Sequence, residues 1–423
     1  MISVADALRI VVDTAAPLGS ERVALVDACG RVAAEDVVST RAVPAADNSA
    51  MDGFAVRAED VAEPGARLRI VGSVPAGSVR AEPLARGTAV KIFTGSVVPP
   101  GADTVVRVED TEDAGEHVIV TVAVSRGANV RRAGEDIAVG ATVVRAGQEI
   151  GPADVGVIAS LGRAALTVHC RPRIAIVSTG AELVEVDEAA GPGQVVNSNA
   201  YALAAAVVET GLPRPLVLPI VRDRFEDIRA SLEEATARAD VVLSTGGVSV
   251  GDYDFVKDAL DAIGVERLFW KVAQKPGKPL AFGRRGTRLV FGLPGNPVSA
   301  LVCFAVYVWP ALRRLAGHTR LHVPSERAVL GAPVRRKPGL TEFVRVHLDH
   351  GRGRLPIATP FRSQSSGVLT GLAGGAGLLV APADRGALEA GDEFDVLRPG
   401  PFAAAGTSSV LLGATVAMPG GTC

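Results

Sequence analysis

Three glycine- and proline-rich turns of this chain combine hydroxyl, amide and ammonium groups that could hold a multiply charged anion. The turns are Ser244-Thr245-Gly246-Gly247, Lys275-Pro276-Gly277-Lys278-Pro279 and Gly292-Leu293-Pro294-Gly295-Asn296-Pro297-Val298-Ser299. An apolar, strand-like run ends at each turn, and a helix-like run follows two of the three. Free backbone N–H groups at such turns attract oxyanions, as lysines do. We therefore predict that the three turns form one oxyanion-binding crevice.

Each turn taken alone also has a simpler interpretation. Lys275 and Lys278 could be solvated lysines of a surface hairpin, because like charges repel only mildly in water. Asn296 could cap an ordinary helix that has Pro297 at its first position. The combination of the turns is what favours a binding site.

Several acidic residues follow strand-like runs and are candidate ligands of Mg²⁺. Asp252 and Asp254 come after the glycine turn, while Glu182 and Asp223 lie just past the ends of other runs. Carboxylates beside phosphate-binding lysines are typical of Mg²⁺ sites, where the metal bridges acid and phosphate. Helix capping would explain Asp252 equally well, and capping or solvation would explain Glu182 and Asp223. We predict Asp223, Asp252 and Asp254 as the metal ligands.

The segment from Pro172 to about Gly317 predicts an open, mostly parallel α/β sheet that positions these turns. Apolar runs of strand length alternate with helix-like runs, which is typical of such sheets. Their ligands bind beyond the carboxyl ends of the strands, where Ser178-Thr179-Gly180 and the Ser244 turn fall. We expect Asn199 to cap a helix that ends near Thr210. Asp223 and Glu226 have the spacing of a capping box at the start of the next helix.

The flanking segments predict further structural units. Residues 3–12 have the pattern of an amphipathic helix, and residues 142–166 that of a strand, a short helix and a strand. Residues 43–132 alternate Val and Ile with Gly and Pro, which indicates a small β-rich domain. Beyond Arg320 only strand patterns recur, and they predict a small C-terminal β-barrel. Residues 401–423 lack charge and are rich in small residues, so we predict a disordered tail.

Composition narrows the classes of function. The chain has 423 residues, 48% of them hydrophobic, with a formal net charge of −2 and a pI near 6.3. Neither a nucleic-acid partner nor an anionic membrane is favoured, because such binders are usually basic. The four cysteines form no CxxC pair and no signal peptide is visible, which predicts a reduced, cytoplasmic setting. The apolar run 298–312 is broken by Pro310 and predicts a buried helix.

The chain resembles the molybdopterin molybdenumtransferase family, the MoeA-type proteins that are related to the E domain of gephyrin. Seven segments match in family order across roughly residues 1 to 400, and their joint occurrence is highly specific. The matching segments are Asn48–Arg57 (NSAMDGFAVR), Phe93–Gly95 (FTG), Arg132–Asp136 (RAGED), Ser178–Leu183 (STGAEL), Gly246–Gly251 (GGVSVG), Lys275–Pro279 (KPGKP) and Gly292–Ser299 (GLPGNPVS).

The resemblance implies a multidomain α/β fold with four domains and a tail. The expected division is an elongated linker of residues 1–42 and 133–168, a β-rich domain (43–132), a molybdopterin-binding α/β domain (169–317), a barrel (318–400) and the tail (401–423). It also implies a homodimer whose cleft combines the α/β domain of one subunit with the Asp52 region of the other. Contact with other proteins of molybdenum-cofactor biosynthesis is a further expectation.

The resemblance also implies the reaction and the residues that carry it. Molybdenum from molybdate enters adenylylated molybdopterin, AMP leaves, and Mg²⁺ assists. The expected catalytic residues are Asp52, Thr94, Glu182, Asp223, Asp254, Lys275 and Lys278. The expected cofactor-binding residues are Ser178, Thr179, Gly180, Ser244, Gly246, Gly247, Ser249, Gly251, Pro294, Gly295, Asn296, Pro297 and Ser299.

The chain departs from the family pattern at a few positions. Phe54 and Phe255 stand where tyrosine is expected, Ala181 replaces an acid beside Glu182, and Arg224 follows Asp223 where a second acid is common. Two alternatives therefore stay open. One is a molybdopterin adenylyltransferase-like enzyme, which the Asp52 region and the C-terminal barrel oppose. The other is a non-catalytic molybdopterin-binding scaffold, which the lysines and acids oppose.

Overall fold

The N-terminal segment begins with a helix whose start is fixed by a local cap. The computed structural model describes residues 1–247, 255–351 and 353–398. Ser3 Oγ accepts a hydrogen bond from the N–H of Asp6 at 3.0 Å, which satisfies one free donor of the first turn. The helix predicted over residues 3–12 is confirmed and runs slightly further. The first elements are α1 (Val4–Thr14), β1 (Ser20–Ala24) and β2 (Val37–Val38).

A small β-rich unit follows. It contains a six-stranded sheet in the order β7-β4-β6-β5-β9-β8, in which only β5 and β6 run parallel. Val side chains fill most of its core together with Phe54, Leu68 and Ala89, and the alternation of Val118 and Val120 follows the strand period. Its strands are β3 (Asn48–Ser49), β4 (Gly53–Val56), β5 (Ala66–Val74), β6 (Thr88–Ile92), β7 (Thr104–Arg107), β8 (Thr111–Ala114), β9 (His117–Val120) and β10 (Val130–Arg131).

The chain then returns to the N-terminal segment. The predicted strand, short helix and strand are present as β11 (Thr142–Val144), α2 (Pro152–Ser160) and β12 (Ala165–His169). β12 pairs antiparallel with β1, and β11 pairs antiparallel with β2. We call this combined unit the linker region.

The central unit is the predicted α/β sheet, with strands in the order β16-β13-β17-β21-β20-β18. Four neighbouring strands run parallel, and β20 alone is reversed, because a two-residue turn joins it to β21. β18 pairs antiparallel with β20 and therefore runs in the direction of the other four strands. Its elements are β13 (Ile174–Ser178), β14 (Leu183–Val184), β15 (Val195–Val196), α3 (Ser198–Glu209), β16 (Leu216–Val217), α4 (Phe225–Arg238), β17 (Val241–Thr245), α5 (Phe255–Ala262), β18 (Glu266–Trp270), β19 (Gln274–Lys275), β20 (Ala281–Arg285), β21 (Arg288–Leu293), α6 (Pro297–Cys303) and α7 (Trp309–Leu315).

Both faces of this sheet are covered by helices. Ile174 and Ile176 point to the face packed by α1, α3, α6 and α7, while Ala175 and Val177 point to the face packed by α4 and α5. This alternation follows from the twofold period of a strand, and it explains why these strands are apolar throughout.

The helical segment Pro297–Leu315 is long and apolar enough to span a membrane by composition. However, 89% of its most apolar window is buried inside the protein. The prediction of a buried helix over residues 298–312 is therefore confirmed. A π-helical turn, Phe304–Val308, joins α6 to α7 within this segment.

Two predicted helix starts are wrong. Asn197, and not Asn199, caps α3, since its side chain accepts a hydrogen bond from the N–H of Ala200. Arg224 occupies the cap position of α4 without a side-chain bond, and Asp223 bonds to Ala181 instead. In both cases a side chain suited to local capping binds a neighbouring loop.

The predicted C-terminal β-barrel is confirmed. Five strands close in the order β23-β24-β22-β26-β25, with β25 pairing back to β23. β19 of the central unit adds to β23 as a parallel neighbour. The barrel strands are β22 (Ser325–Leu330), β23 (Thr341–Asp349), β24 (Ile357–Pro360), β25 (Gly377–Ala381) and β26 (Glu393–Leu397). The predicted disordered tail lies outside the described residues.

Candidate functional site

The carboxyl ends of three parallel strands are joined directly by backbone hydrogen bonds. The N–H of Thr179, after β13, donates to the carbonyl of Thr245 at 3.0 Å. The N–H of Gly246, after β17, donates to the carbonyl of Leu293, at the end of β21, at 3.3 Å. The two Ser-Thr-Gly turns and the Gly-Leu-Pro-Gly turn therefore lie side by side, as the parallel topology predicts.

Gly246 permits the closest of these approaches. Its φ is +91°, and a Cβ atom there would lie only 2.2 Å from the carbonyl oxygen of Thr179. Both facts exclude a side chain, because the conformation favours glycine and the obstacle is backbone. The glycine thus sets the spacing between the first two turns.

Asn199 ties the second turn to the third. Its amide nitrogen donates to Thr245 Oγ1 at 2.9 Å and to the carbonyl of Gly295 at 2.7 Å. This bridging role was missed, because an asparagine near a helix start is equally typical of a cap. No local pattern in the sequence distinguishes the two roles.

The turns surround a cleft of about 770 Å³. Gly367 and Leu369 of the barrel also line it, and the carbonyl of Ser366 accepts the N–H of Val298 at the start of α6 at 3.1 Å. The barrel therefore occupies one donor that the sequence interpretation left free for an anion. Predicted site residues that line the cleft are Thr179, Gly180, Glu182, Asp223, Gly246, Gly247, Pro294, Gly295, Asn296 and Pro297.

Three predicted binding serines are buried at the strand and helix ends that support the cleft. Ser178, Ser244 and Ser299 are at most 4% exposed, and none of them lines the cleft. The hydroxyls of Ser178 and Thr179 have no hydrogen-bond partner among the described residues. Unsatisfied buried hydroxyls directly behind a cleft are polar groups that a bound ligand or water could reach.

The two acids of the cleft, Glu182 and Asp223, are linked through the peptide of Ala181. Asp223 Oδ2 accepts the N–H of Ala181 at 2.9 Å, and Arg222 donates to the carbonyl of the same residue at 2.8 Å. Asp223 and Arg222 therefore fix the Ala181 peptide from both sides, and with it the adjacent Glu182. The role of Arg222 was not predicted, because the adjacent Asp223 was interpreted as the capping residue of the next helix. Among the described residues neither Glu182 nor Asp223 forms an ion pair.

The Lys-Pro-Gly-Lys turn packs against α6. Gly277 lies so close to this helix that a Cβ atom would approach Cys303 Sγ to 2.6 Å. Both lysines are exposed, and Lys275 Nζ lies 3.6 Å from Glu342 Oε2 on the barrel. Pro279, next to Lys278, lines the cleft, whereas neither lysine does. The turn therefore reaches the edge of the cleft rather than its floor.

Asp52 and Thr94 form a separate pair in the β-rich unit. Asp52 Oδ1 accepts both the N–H of Thr94 at 2.7 Å and its hydroxyl at 2.9 Å. These bonds, the backbone one first, lower the pKa of Asp52 from its ordinary value. Both residues are exposed, and neither lines the cleft of its own chain.

Four predicted site residues, Ser249, Gly251, Asp252 and Asp254, lie outside the described residues. Within the parts that are described, no group of three or more His, Cys, Asp or Glu side chains could hold a metal ion.

Comparison with family models gives consistent matches to the N-terminal, central and C-terminal parts of residues 2–398. Three family models match: "MoeA N-terminal region (domain I and II)" at residues 2–162, "Probable molybdopterin binding domain" at 175–314 and "MoeA C-terminal region (domain IV)" at 327–398.

Individual relatives match over nearly the whole length. "Molybdopterin molybdenumtransferase 2" of Mycobacterium tuberculosis is 38% identical over 94% of this chain and 99% of its own. "Molybdopterin molybdenumtransferase" of Bacillus subtilis is 34% identical over 89% of both chains. A solved molybdopterin biosynthesis MoeA protein of Pyrococcus horikoshii superposes with a TM-score of 0.79 at 30% identity, covering 94% of this chain and 100% of that one. The chain therefore belongs to the molybdopterin molybdenumtransferase (MoeA) family.

Proposed function

We propose that this protein is a molybdopterin molybdenumtransferase that inserts molybdenum from molybdate into adenylylated molybdopterin and releases AMP. The observation that carries the proposal is the joining of three strand-end turns around one cleft by direct hydrogen bonds. The cleft, of about 770 Å³, lies within the range of about 300–1,000 Å³ that is usual for small-molecule sites. Polar backbone and amide groups in fixed positions suit phosphate and molybdate oxygens.

The residues present fit a Mg²⁺ ion, which the family implies. Glu182 and Asp223 bring two carboxylates to the cleft, and neither has a cationic partner among the described residues. Carboxylate oxygens beside substrate phosphates are the usual ligands of Mg²⁺. Asp223, with Asp252 and Asp254, would hold the ion, which would neutralise phosphate charge during release of AMP.

The active unit in this proposal is a homodimer. Asp52 and Thr94 are exposed and lie away from the cleft lining of their own chain. A second subunit would bring this pair to the cleft, and Asp52 would add a third carboxylate there. We further propose that the protein acts in the cytoplasm with other proteins of cofactor biosynthesis.

Purified protein is expected to release AMP from adenylylated molybdopterin only when molybdate and Mg²⁺ are both present. Chromatographic detection of AMP, with each component omitted in turn, measures this. AMP release without molybdate would contradict molybdenum insertion. In a separate incubation with ATP and molybdopterin, formation of adenylylated molybdopterin would indicate an adenylyltransferase, and no turnover in either assay would indicate a scaffold.

We propose that both lysines reach molybdate from the edge of the cleft, so Lys275→Ala and Lys278→Ala are each expected to weaken molybdate binding at least about tenfold through loss of a charged hydrogen bond. Thermal stability should change little, since both lysines are exposed and a surface pair such as Lys275–Glu342 contributes at most about 1 kcal/mol. Calorimetric titration with molybdate and thermal unfolding measure the two effects. Lys337→Ala, which removes another exposed lysine, is the control. Parallel losses of affinity and stability would show a structural role instead.

A further inference from the structure

A small cavity lies where the linker region meets the central α/β unit. On the scale that gives 770 Å³ for the cleft, it measures about 10 Å³. A space of about 10–15 Å³ on this scale holds one water-sized species. Two arginines and two histidines supply most of its polar lining: Arg31, His169, Arg171 and His318.

Arg31 brings a buried guanidinium with an unused donor. Its side chain is only 8% exposed and bonds through one terminal nitrogen to Glu21 and to the carbonyl of His169. Its Nε has no hydrogen-bond partner among the described residues, and the same holds for Nδ1 of His169. The buried Nε–H of Arg31 requires an acceptor, and Nδ1 of His169 requires one in the tautomer in which it carries hydrogen.

Arg171 brings a second guanidinium that lacks a carboxylate. Among the described residues it donates only to the carbonyl of Gly30, at 3.3 Å, and forms no ion pair. Burial first, and then the neighbouring charge of Arg31, lower the pKa of Arg171 from its ordinary value. Since an arginine keeps its proton at physiological pH, two like charges meet here.

The other charged groups at this junction do not balance the pair. Glu21 already bonds to Arg31. Glu149 is shared by Arg313 and His318 at 3.1 and 3.2 Å. Burial lowers the pKa of His318. Among the described residues at this junction, the three arginines Arg31, Arg171 and Arg313 therefore outnumber the two carboxylates of Glu21 and Glu149 by one.

We propose that this cavity binds a small inorganic anion of the size of chloride between Arg31 and Arg171. The anion would accept hydrogen bonds from the free N–H groups of Arg31 and Arg171. It would also accept one from the ring of His169 when Nδ1 carries hydrogen. It would replace the missing carboxylate and offset the repulsion between the guanidiniums. Because Arg31 and His169 belong to the linker region and His318 follows α7, the bound anion would fasten these two units together.

Thermal unfolding in chloride and in gluconate at equal ionic strength tests the proposal. Chloride is expected to raise the Tm of the full chain by about 1.5 °C at tenfold excess over its Kd, and further with the logarithm of its concentration, while gluconate is too large to enter. Arg171→Gln should abolish the chloride effect. Arg67→Gln, which changes an exposed arginine without an ion pair, should retain it.

A bromide-soaked crystal of the wild-type protein gives a second readout that needs no variant. An anomalous peak between Arg31 and Arg171 is expected. Equal effects of chloride and gluconate, an undiminished chloride effect in Arg171→Gln, or an ordered water in place of bromide would each overturn the proposal.

Discussion

Asp52→Asn is expected to lower molybdate-dependent AMP release at least about 100-fold, since it removes the charge of the carboxylate that we propose completes the cleft while keeping the shape of the side chain. Oδ1 of Asp52 is used by Thr94, and Oδ2 has no hydrogen bond among the described residues. Because its pKa is lowered, the carboxyl group of Asp52 stays ionised at pH values below those at which an ordinary aspartate takes up a proton. Protonation of Asp52 in the wild-type protein therefore does not limit activity near neutral pH. The measurement is the rate of AMP release at saturating molybdate.

The control for Asp52→Asn is Asp384→Asn. Asp384 is an exposed aspartate of the barrel that forms no ion pair among the described residues. It should retain full activity, and both variants should unfold at the wild-type temperature. Full activity of Asp52→Asn would exclude Asp52 from the reaction.

Mixing Asp52→Asn with Lys278→Ala distinguishes a shared site from one within a single chain. If the partner's loop completes the cleft, each mixed dimer contains one intact site. An equimolar, randomly reassorted mixture should then recover about a quarter of wild-type activity. No recovery, although the subunits exchange, would place Asp52 and the cleft in the same chain.

Gly246→Ala is expected to destabilise the protein by about 2–4 kcal/mol and to abolish substrate binding. The added methyl group would lie 2.2 Å from a backbone oxygen, and Gly246 also has a φ of +91°. The carboxyl ends of β13 and β17 must then separate, which displaces Thr179 and increases the distance between the two turns. Urea unfolding and titration with molybdate measure the two losses.

Gly286→Ala provides a matched control in the same sheet. Gly286 has a φ of +60°, but nothing lies within 4 Å of its virtual Cβ. This variant should cost only about 1 kcal/mol, from backbone strain alone. A difference between the two variants isolates the collision at Gly246, and equal costs would show that the close approach has no energetic role.

Much of this architecture follows from local patterns. Runs such as Ile174–Val177 are apolar at every position, and a glycine turn follows each, so strands covered on both faces and ligand-binding turns at their ends were predictable. The β-rich unit and the barrel follow from short strand-like runs with turn residues between them, and residues 142–166 from a strand, helix and strand pattern. That residues 142–166 join the N-terminal segment in one linker region was implied only by the family resemblance. The domain boundaries themselves stay predictions.

The misassigned residues share a physical cause. Asn199 and Asp223 have side chains that bind backbone groups in a helix cap and in a tertiary contact alike, so the partner decides the role. Arg222 acts through a loop 41 residues away. Ser366, Gly367 and Leu369 reach the cleft from an irregular loop, whose position depends on how the barrel docks and leaves no periodic trace in the sequence.

The pairing of β19 with β23 couples the barrel mechanically to the cleft. One attachment runs through the strand that carries Lys275, and the other through the carbonyl of Ser366 at the start of α6. Both attachments adjoin α6, because the turn that follows β19 packs against Cys303 of this helix. A tilt of the barrel would therefore strain its contacts at α6. The cleft width is thus set by the C-terminal barrel as well as by the sheet. A ligand that contacts both the sheet-end turns and the barrel loop would therefore change the orientation of the barrel when it binds.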